Sequence, residues 1–271
     1  MKILITGASG FLGGVIMNVA KLRGHDVKTL GRQHSSDINC DLRLHNPIHN
    51  TEYDCVIHVA GKAHTLPKNN LEAREFHDVN YRGTENLINS LSKNSINQFV
   101  FISSVSVYGL EEGNNISEMY PLKGVTPYAK SKIEAENLLI NWAAKNEISL
   151  LILRLPLIVG NHPKGNLCKM INAIKSKKYF SVNKGLARKS MVLSEDVANC
   201  IFDNLDKSGI FNLTDGCHPS FYELENVIML KFKVAKIYSI PLIIAKLLGI
   251  IGSTIPFSPI IATLSFELKI N

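Results

Sequence analysis

The sequence predicts a doubly wound parallel α/β sheet with a smaller C-terminal lobe, and three observations carry that prediction. Short apolar strands alternate with helix-spaced segments through the first 155 residues. Two of the strands, Asp54–Ala60 and Gln98–Ser103, are continuous apolar runs of the kind buried on both faces. A three-glycine turn, Gly7-Ala-Ser-Gly10-Phe-Leu-Gly13, joins the first strand to the first helix. Such alternation gives a parallel sheet covered on both sides, and right-handed crossovers then fix the chain path.

Lys2–Thr6 reads as the first strand, ended by Gly7, and Phe11–Arg23 carries helical spacing until Gly24 stops it. Val27–Leu30 is the second strand and Ile38–Leu42 a candidate third. Between the two buried runs, Leu71–Lys93 is helical with Gly83 inside it. Thr126 followed by Pro127 marks a helix start, and that helix runs to Asn146 before a strand at Ser149–Arg154. Beyond Leu155 the rhythm loosens. Asn166–Lys178 looks helical, Ser194 is placed to cap a helix through Leu205, and Gly209–Thr214 reads as a strand. Ser220 and Glu223 have capping-box spacing. The expected division is 1–155 for the sheet domain and 156–271 for the lobe, with some segments returning to the first.

With 45% apolar and 20% charged residues, the chain is an ordinary globular one. The five cysteines never form Cys-x-x-Cys, so neither a zinc site nor a disulfide framework is expected, and reduced thiols in the cytoplasm fit. The apolar run at the N-terminus is too short for a signal peptide, so secretion is not expected. The net charge of +7 is scattered, densest at Lys175, Lys177 and Lys178, with Arg188 and Lys189 nearby. No basic–aromatic repeat points to nucleic acid; the cations form a solvated face or attract an anionic small substrate. Ile240–Leu264 is apolar, but Lys246, Gly249, Gly252, Pro256 and Pro259 argue against a spanning helix. Burial in the lobe is favoured for it, and membrane association is left open but not favoured.

Three motifs carry chemistry. The glycine turn permits close approach of backbone to a pyrophosphate, and the following helix start offers free N–H groups to phosphate. Its Gly-x-x-Gly-x-x-Gly spacing departs from the Gly-x-Gly-x-x-Gly fingerprint. In Tyr128-x-x-x-Lys132 the two side chains share one helix face. A phenol near pKa 10 is a poor acid–base group at neutral pH, and an ammonium beside it favours the phenolate. Ser103-Ser104-Val-Ser106-Val-Tyr108-Gly109 closes a buried strand, where the carboxyl ends of a parallel sheet face the ligand crevice. Each motif alone has a bland reading as turn, surface helix or strand cap; their occurrence together at crevice-facing ends is the argument.

These residues, with Asp41-Leu42, His58-Val-Ala60-Gly61, Val79-Asn80-x-x-Gly83-Thr84, Leu153-Arg-Leu-Pro156 with Gly160, Lys164-Gly-Asn166, Lys189-Ser-Met-Val192 and Asn212-Leu-Thr-Asp-Gly216, resemble the extended short-chain dehydrogenase/reductases. More narrowly, the set is similar to their NAD-dependent epimerase/dehydratase branch, of Rossmann fold, in its sugar-nucleotide members. The resemblance implies a cofactor site of Gly7, Ser9, Gly10, Phe11, Leu12 and Gly13, with Asp41 and Leu42 by the adenine and Ala60 and Gly61 lining the cleft. It implies that Lys132 holds the nicotinamide ribose and lowers the pKa of Tyr128, the proton-transfer residue. Ser104 aligns with the catalytic Ser/Thr. Ser104, Ser106, Asn166 and, more weakly, Arg188 become substrate contacts. No metal is implied.

Two departures shape the expected reaction. Val105 and Ser106 stand where similar 4,6-dehydratases carry an Asp-Glu pair, so dehydration is not expected. The second strand ends in Leu30-Gly31-Arg32-Gln33 without the acidic residue of NAD users, so NADP(H) is favoured, with Arg32 facing a 2′-phosphate, and NAD(H) stays admissible. Members of the family usually continue past Asn271 with a further C-terminal segment, which puts the completeness of the substrate lobe, and with it activity, in question. The resemblance then implies a cytoplasmic NAD(P)-dependent oxidoreductase acting at carbon 4 of a nucleotide-activated sugar in surface polysaccharide biosynthesis. A 4-ketoreductase is placed first and a 4-epimerase, on a nucleotide- or lipid-linked sugar, close behind. A homodimer through the two long helices is implied. The rival from another class is a non-catalytic dinucleotide-binding regulator, disfavoured by the retained tyrosine–lysine pair; a reductase of small hydrophobic ketones is disfavoured by Asn166 and its basic neighbours.

Overall fold

The computed structural model describes residues 1–47, 52–63, 67–91, 96–110, 112–161, 163 and 165–245, with Asn166 described by its backbone alone. The chain divides into two compact units. Unit 1 comprises Met1–Leu110, Asn115–Gly160 and Val192–Asp215; unit 2 comprises Glu111–Asn114, Asn161–Met191 and Gly216–Asn271. Val192–Asp215 is thus the segment that returns to the sheet.

Unit 1 begins with β1 (Lys2–Thr6), α1 (Phe11–Leu22), β2 (Asp26–Gly31), β3 (Ile38–Asn39) and β4 (Cys55–His58). It continues through α2 (Asn70–His77), α3 (Gly83–Asn89), β5 (Gln98–Ser104), α4 (Pro127–Asn146), β6 (Ser149–Leu155) and β7 (Leu157–Val159). Unit 2 then supplies α5 (Gly165–Lys175) and β8 (Phe180–Val182). After β9 (Met191–Leu193), unit 1 resumes with α6 (Ser194–Asp203) and β10 (Gly209–Asn212), and unit 2 closes with α7 (Phe221–Phe232) and β11 (Tyr238–Ile240). Seven strands form one sheet in the order β3-β2-β1-β4-β5-β6-β10, every neighbouring pair parallel. This is the doubly wound architecture that the alternation predicts.

Side chains alternate across β1, so Ile3 and Ile5 enter one core layer and Leu4 the other. The first layer packs Ile16 and Ala20 of α1 against Val197 and Ile201 of α6. The second packs Leu87 of α3 and Ala135, Leu139 and Ala143 of α4 against Val56, Phe99 and Ile152. α4 starts where its sequence dictates: the Thr126 side chain accepts from the Ala129 N–H at 3.1 Å, and Pro127 fills the first turn.

Three elements differ from expectation. The helix expected over Leu71–Lys93 is α2 and α3 separated by a π-helical turn, Asp78–Arg82 (Lys93 lies outside the described residues). The third strand is only Ile38–Asn39, because Asp41 turns the chain by accepting from the Arg43 N–H at 3.0 Å. Ser194 is the first residue of α6 rather than its cap; its hydroxyl donates to Glu195 Oε2 at 2.7 Å. The capping box at Ser220 and Glu223 is formed as expected.

Candidate active site

The glycine turn is built as its sequence requires. Gly7 has φ +72°, and a Cβ there would lie 2.7 Å from the Ala60 nitrogen on the neighbouring strand end. A Cβ on Gly13 would lie 2.1 Å from the Gly7 oxygen, so α1 can approach the turn only without a side chain. Gly10 starts the helix with extended backbone and no side-chain cap, and no acidic residue stands in the first turn. Ser9 and Gly10 are exposed and Phe11 is half-buried, whereas the Leu12 side chain points into the core. Of Leu12, only the backbone is left to meet a ligand. An uncapped, acid-free helix start beside a turn with no side chains fits a dinucleotide pyrophosphate.

Ser104, Tyr128 and Lys132 come together at the C-terminal end of β5. The Ser104 side chain lies close enough to the Tyr128 phenol to act on its titration, and the Ser104 oxygen accepts from the Ser106 N–H at 3.2 Å. The Tyr128 ring is half-buried and meets Phe76 edge-on at 6.1 Å. Lys132 is buried; its ammonium donates to the Ile102 carbonyl at 2.8 Å and lies 4.5 Å from the Phe101 ring centroid. Burial pulls Lys132 down to about 8, against the opposing pull of Glu136. Burial pushes the Tyr128 phenol above its ordinary value, and the nearby Ser104 side chain offsets only part of that. The expected lowering of Tyr128 by Lys132 is not what this geometry shows: the ammonium is turned to a main-chain carbonyl.

Gly61 stands opposite this lysine. A Cβ on Gly61 would lie 3.4 Å from Lys132 Nζ and 3.1 Å from Asn80 Oδ1, so the glycine keeps the gap open. Asn80 sits in the π turn, where its amide accepts from the Lys62 N–H at 2.7 Å and donates to Ser131 Oγ at 2.9 Å. One side chain therefore ties the Gly61 strand end to α4.

Behind Ala60 and Gly61 runs a directed hydrogen-bond chain. The Thr84 hydroxyl donates to the Asn80 carbonyl at 2.6 Å, so toward His58 Nε2, at 2.9 Å, it can only accept. His58 therefore carries its proton on Nε2. Nδ1 accepts from the Thr6 hydroxyl at 2.7 Å, and Thr6 accepts from the Ala60 N–H at 3.1 Å. Burial, with the charge of Lys132 adding to it, pushes His58 down to about 3, so the ring is neutral.

A second buried network holds the strand end that carries Ser104. Arg154 on β6 donates to Glu136 on α4 through Nε and Nη2, the shortest bond 2.7 Å. Its Nη1 reaches the Tyr108 hydroxyl at 2.9 Å and the Glu118 carbonyl at 3.0 Å. Ser103 donates to Glu136 at 2.5 Å, and Tyr108 to Asn212 at 2.7 Å. Tyr128, Lys132 and Glu136 thus recur every fourth residue on one face of α4, the last anchored by a guanidinium. Sequence reasoning assigned no role to Thr6, His58, Asn80, Thr84, Glu136 or Arg154. The readable signal was a carboxylate on a buried helix stripe and an arginine inside an apolar strand, two buried charges of opposite sign that require each other.

At the end of β2, Arg32 is exposed. Asp41, which also feels the Arg32 charge, accepts from Arg43 at 2.6 Å, and Asp37 accepts from the Thr29 hydroxyl at 2.8 Å. Hydrogen bonds from Arg43 hold the Asp41 carboxyl below its usual range. Leu42 is buried beneath α3, its carbonyl accepting from Asn86 at 2.7 Å. Ser106 Oγ is buried with no hydrogen-bond partner among the described residues. Asn166 lies in α5, its side chain outside the described residues, and Arg188 is exposed in unit 2, donating to the His218 carbonyl at 2.9 Å.

A doubly wound sheet with a glycine turn, and a serine, a tyrosine and a lysine gathered at one strand end, defines a dinucleotide-binding α/β protein. Residues 3–213 match the NAD dependent epimerase/dehydratase family, and the chain belongs to it. Among curated relatives, an N-acetyl-alpha-D-glucosaminyl-diphospho-ditrans,octacis-undecaprenol 4-epimerase of Escherichia coli O157:H7 is 30% identical over 74% of this chain. The alignment spans 62% of that relative, so the chain accounts for under two thirds of its length. Two solved structures share the fold. The UDP-glucose 4-epimerase of Thermus thermophilus in complex with NAD gives a TM-score of 0.72, with 19% identity over 98% of both chains. RMD of Pseudomonas aeruginosa complexed with NADPH gives 0.73, with 23% identity over 89% of this chain and 87% of its own.

Proposed function

We propose that this chain performs nicotinamide-dependent redox chemistry at carbon 4 of a diphosphate-linked sugar. The observation that carries the reading is the gathering of Ser104, Tyr128 and Lys132 at one strand end, across from the side-chain-free Gly61. Gly7, Gly10 and Gly13 would hold the cofactor pyrophosphate, Ala60 and Gly61 its inner wall, and Lys132 its nicotinamide ribose. When bound, the nicotinamide supplies a hydride acceptor and donor. Tyr128 exchanges a proton with the oxygen on carbon 4 at its phenolic oxygen, and Ser104 hydrogen-bonds that same substrate oxygen. Glu136 and Arg154 keep the strand end and the helix in register while the proton moves.

Within this chemistry a 4-epimerase is the first reading. It is supported by the similarity to the undecaprenol-linked 4-epimerase, and a lipid-linked sugar is therefore included among the substrates. The second reading is a 4-ketoreductase, favoured by one observation. Carboxylates already engaged by Thr29 and Arg43, beside an exposed Arg32, suit the 2′-phosphate of NADP(H) better than a bare ribose. NAD(H) remains the cofactor of the epimerase reading.

The deciding experiment combines mass spectrometry of co-purified nucleotides with product analysis by NMR. The substrates are UDP-N-acetylglucosamine, its undecaprenyl-diphosphate counterpart and a 4-keto sugar nucleotide. Retained NAD with interconversion of carbon-4 epimers is the expected result. Exchangeable NADPH consumed one for one with a 4-keto sugar would establish the reductase instead. Dinucleotide binding with no turnover of any of these would defeat both readings and leave a regulator.

A further inference from the structure

Charge is divided unevenly between the two units. Unit 2 holds thirteen of the thirty Lys and Arg residues but only five of the twenty-three Asp and Glu, a formal +8 against −1 for the rest. Asn161–Met191 contains eight of these cations and no acidic residue. The partition was hidden in the whole-chain value, because segments of unit 1 separate the basic stretches.

One contiguous face of unit 2 adds exposed apolar and aromatic groups to this charge. β8 and β11 pair in parallel, placing Tyr238 beside Phe180. The Lys184 N–H donates to Ser239 Oγ at 2.9 Å, which joins the turn after β8 to β11. A Cβ on the next residue, Gly185, would lie 2.6 Å from the Tyr222 nitrogen, so the start of α7 adjoins the same turn. Lys236 Nζ lies 4.7 Å from the Tyr238 ring centroid. The Pro241–Ala245 turn packs on β8 through Val182, Leu242 and Ala245, yet leaves Ile243 and Ile244 outside. Tyr222, Tyr238, Ile243 and Ile244 are 56%, 61%, 74% and 46% exposed. The sequence then runs on into Leu247-Leu248-Gly249-Ile250-Ile251.

Lysines beside exposed tyrosines and isoleucines suit the boundary of an anionic bilayer. Cations meet lipid phosphates there, tyrosine rings sit at headgroup depth, and aliphatic side chains enter the acyl region. A solvated basic face would have no need of the isoleucines, and a polyanion would make no use of them. No helix among the described residues is long and apolar enough to cross a membrane, and the exposed groups of this face suit peripheral contact. We propose that the face formed by Lys184, Tyr222, Lys236, Tyr238, Ile243 and Ile244 docks unit 2 on an anionic lipid surface. The inference rests on unit 2 alone and does not depend on the sugar chemistry proposed above.

The test is flotation of the full chain with vesicles of phosphatidylcholine, alone or with about one third phosphatidylglycerol. Binding is expected to the anionic vesicles only and to fall steeply between 0.1 and 1 M salt, as the screening length shrinks from about 10 to about 3 Å. Lys184→Glu with Lys236→Glu is expected to lower the partition coefficient about tenfold or more. Ile243→Ser with Ile244→Ser is expected to lower it at unchanged charge. Unchanged far-UV circular dichroism and thermal unfolding report that each variant is folded. Absence of binding to anionic vesicles overturns the proposal, as does binding that survives both pairs of substitutions. Loss with the charge reversals but not with the serines also overturns it, marking a surface for soluble polyanions such as nucleic acid.

Discussion

His58 shows how a single buried ring can organise a strand end. Its neutral state is fixed by a chain in which every donor has one acceptor, from the Ala60 N–H to the Asn80 carbonyl. The pH consequence follows from the sign of the shift. A histidine held near 3 in the fold and near 6.5 when unfolded binds its proton first in the unfolded state. Stability is therefore constant above about pH 6.5 and falls as pH drops through the window toward 3. Thermal unfolding from pH 7 to 5 should show Tm falling in the wild type, and the slope flattened in His58→Gln, whose amide does not titrate. An unchanged slope would remove His58 from the account. The sequence placed His58 in a motif but gave no sign of the chain, because Thr6 and Thr84 are far from it in sequence and meet it only when β1, β4 and α3 are assembled.

At the scale of elements, the strands and α4 were readable because their signals are local: continuous apolar runs, glycine stops, and a Thr-Pro helix start. The interruption of the second helix was not readable, since residues 71–91 keep helical spacing through a π turn that inserts Asn80 against Lys62 and Ser131. The third strand was overcalled because the turn at Asp41 depends on a side-chain contact with Arg43. The Glu136–Arg154 pair bridges α4 and β6, both side chains almost fully buried. Removing one partner strands a buried charge. Glu136→Gln or Arg154→Met alone should cost about 3–5 kcal/mol in urea unfolding. The double replacement Glu136→Leu with Arg154→Met should recover much of that loss. Additive losses would show that the pair is not the unit that holds these elements together.

At the scale of the molecule, the fold and the family were legible, since alternation, the glycine turn and the tyrosine–lysine spacing all lie within the matched residues 3–213. The partition of charge between the units was not, because it depends on which distant segments share a unit. The fold brings Ser104, Tyr128 and Lys132 to one strand end and leaves Arg188 on the surface of unit 2, so the proton transfer proposed above is assigned to unit 1. The most direct test of that claim is single-turnover hydride transfer with saturating dinucleotide and sugar substrate, in wild type and Tyr128→Phe. The account predicts a rate loss of about 10²-fold or more in the variant, with dinucleotide affinity almost unchanged. Transfer at the wild-type rate in Tyr128→Phe would contradict it.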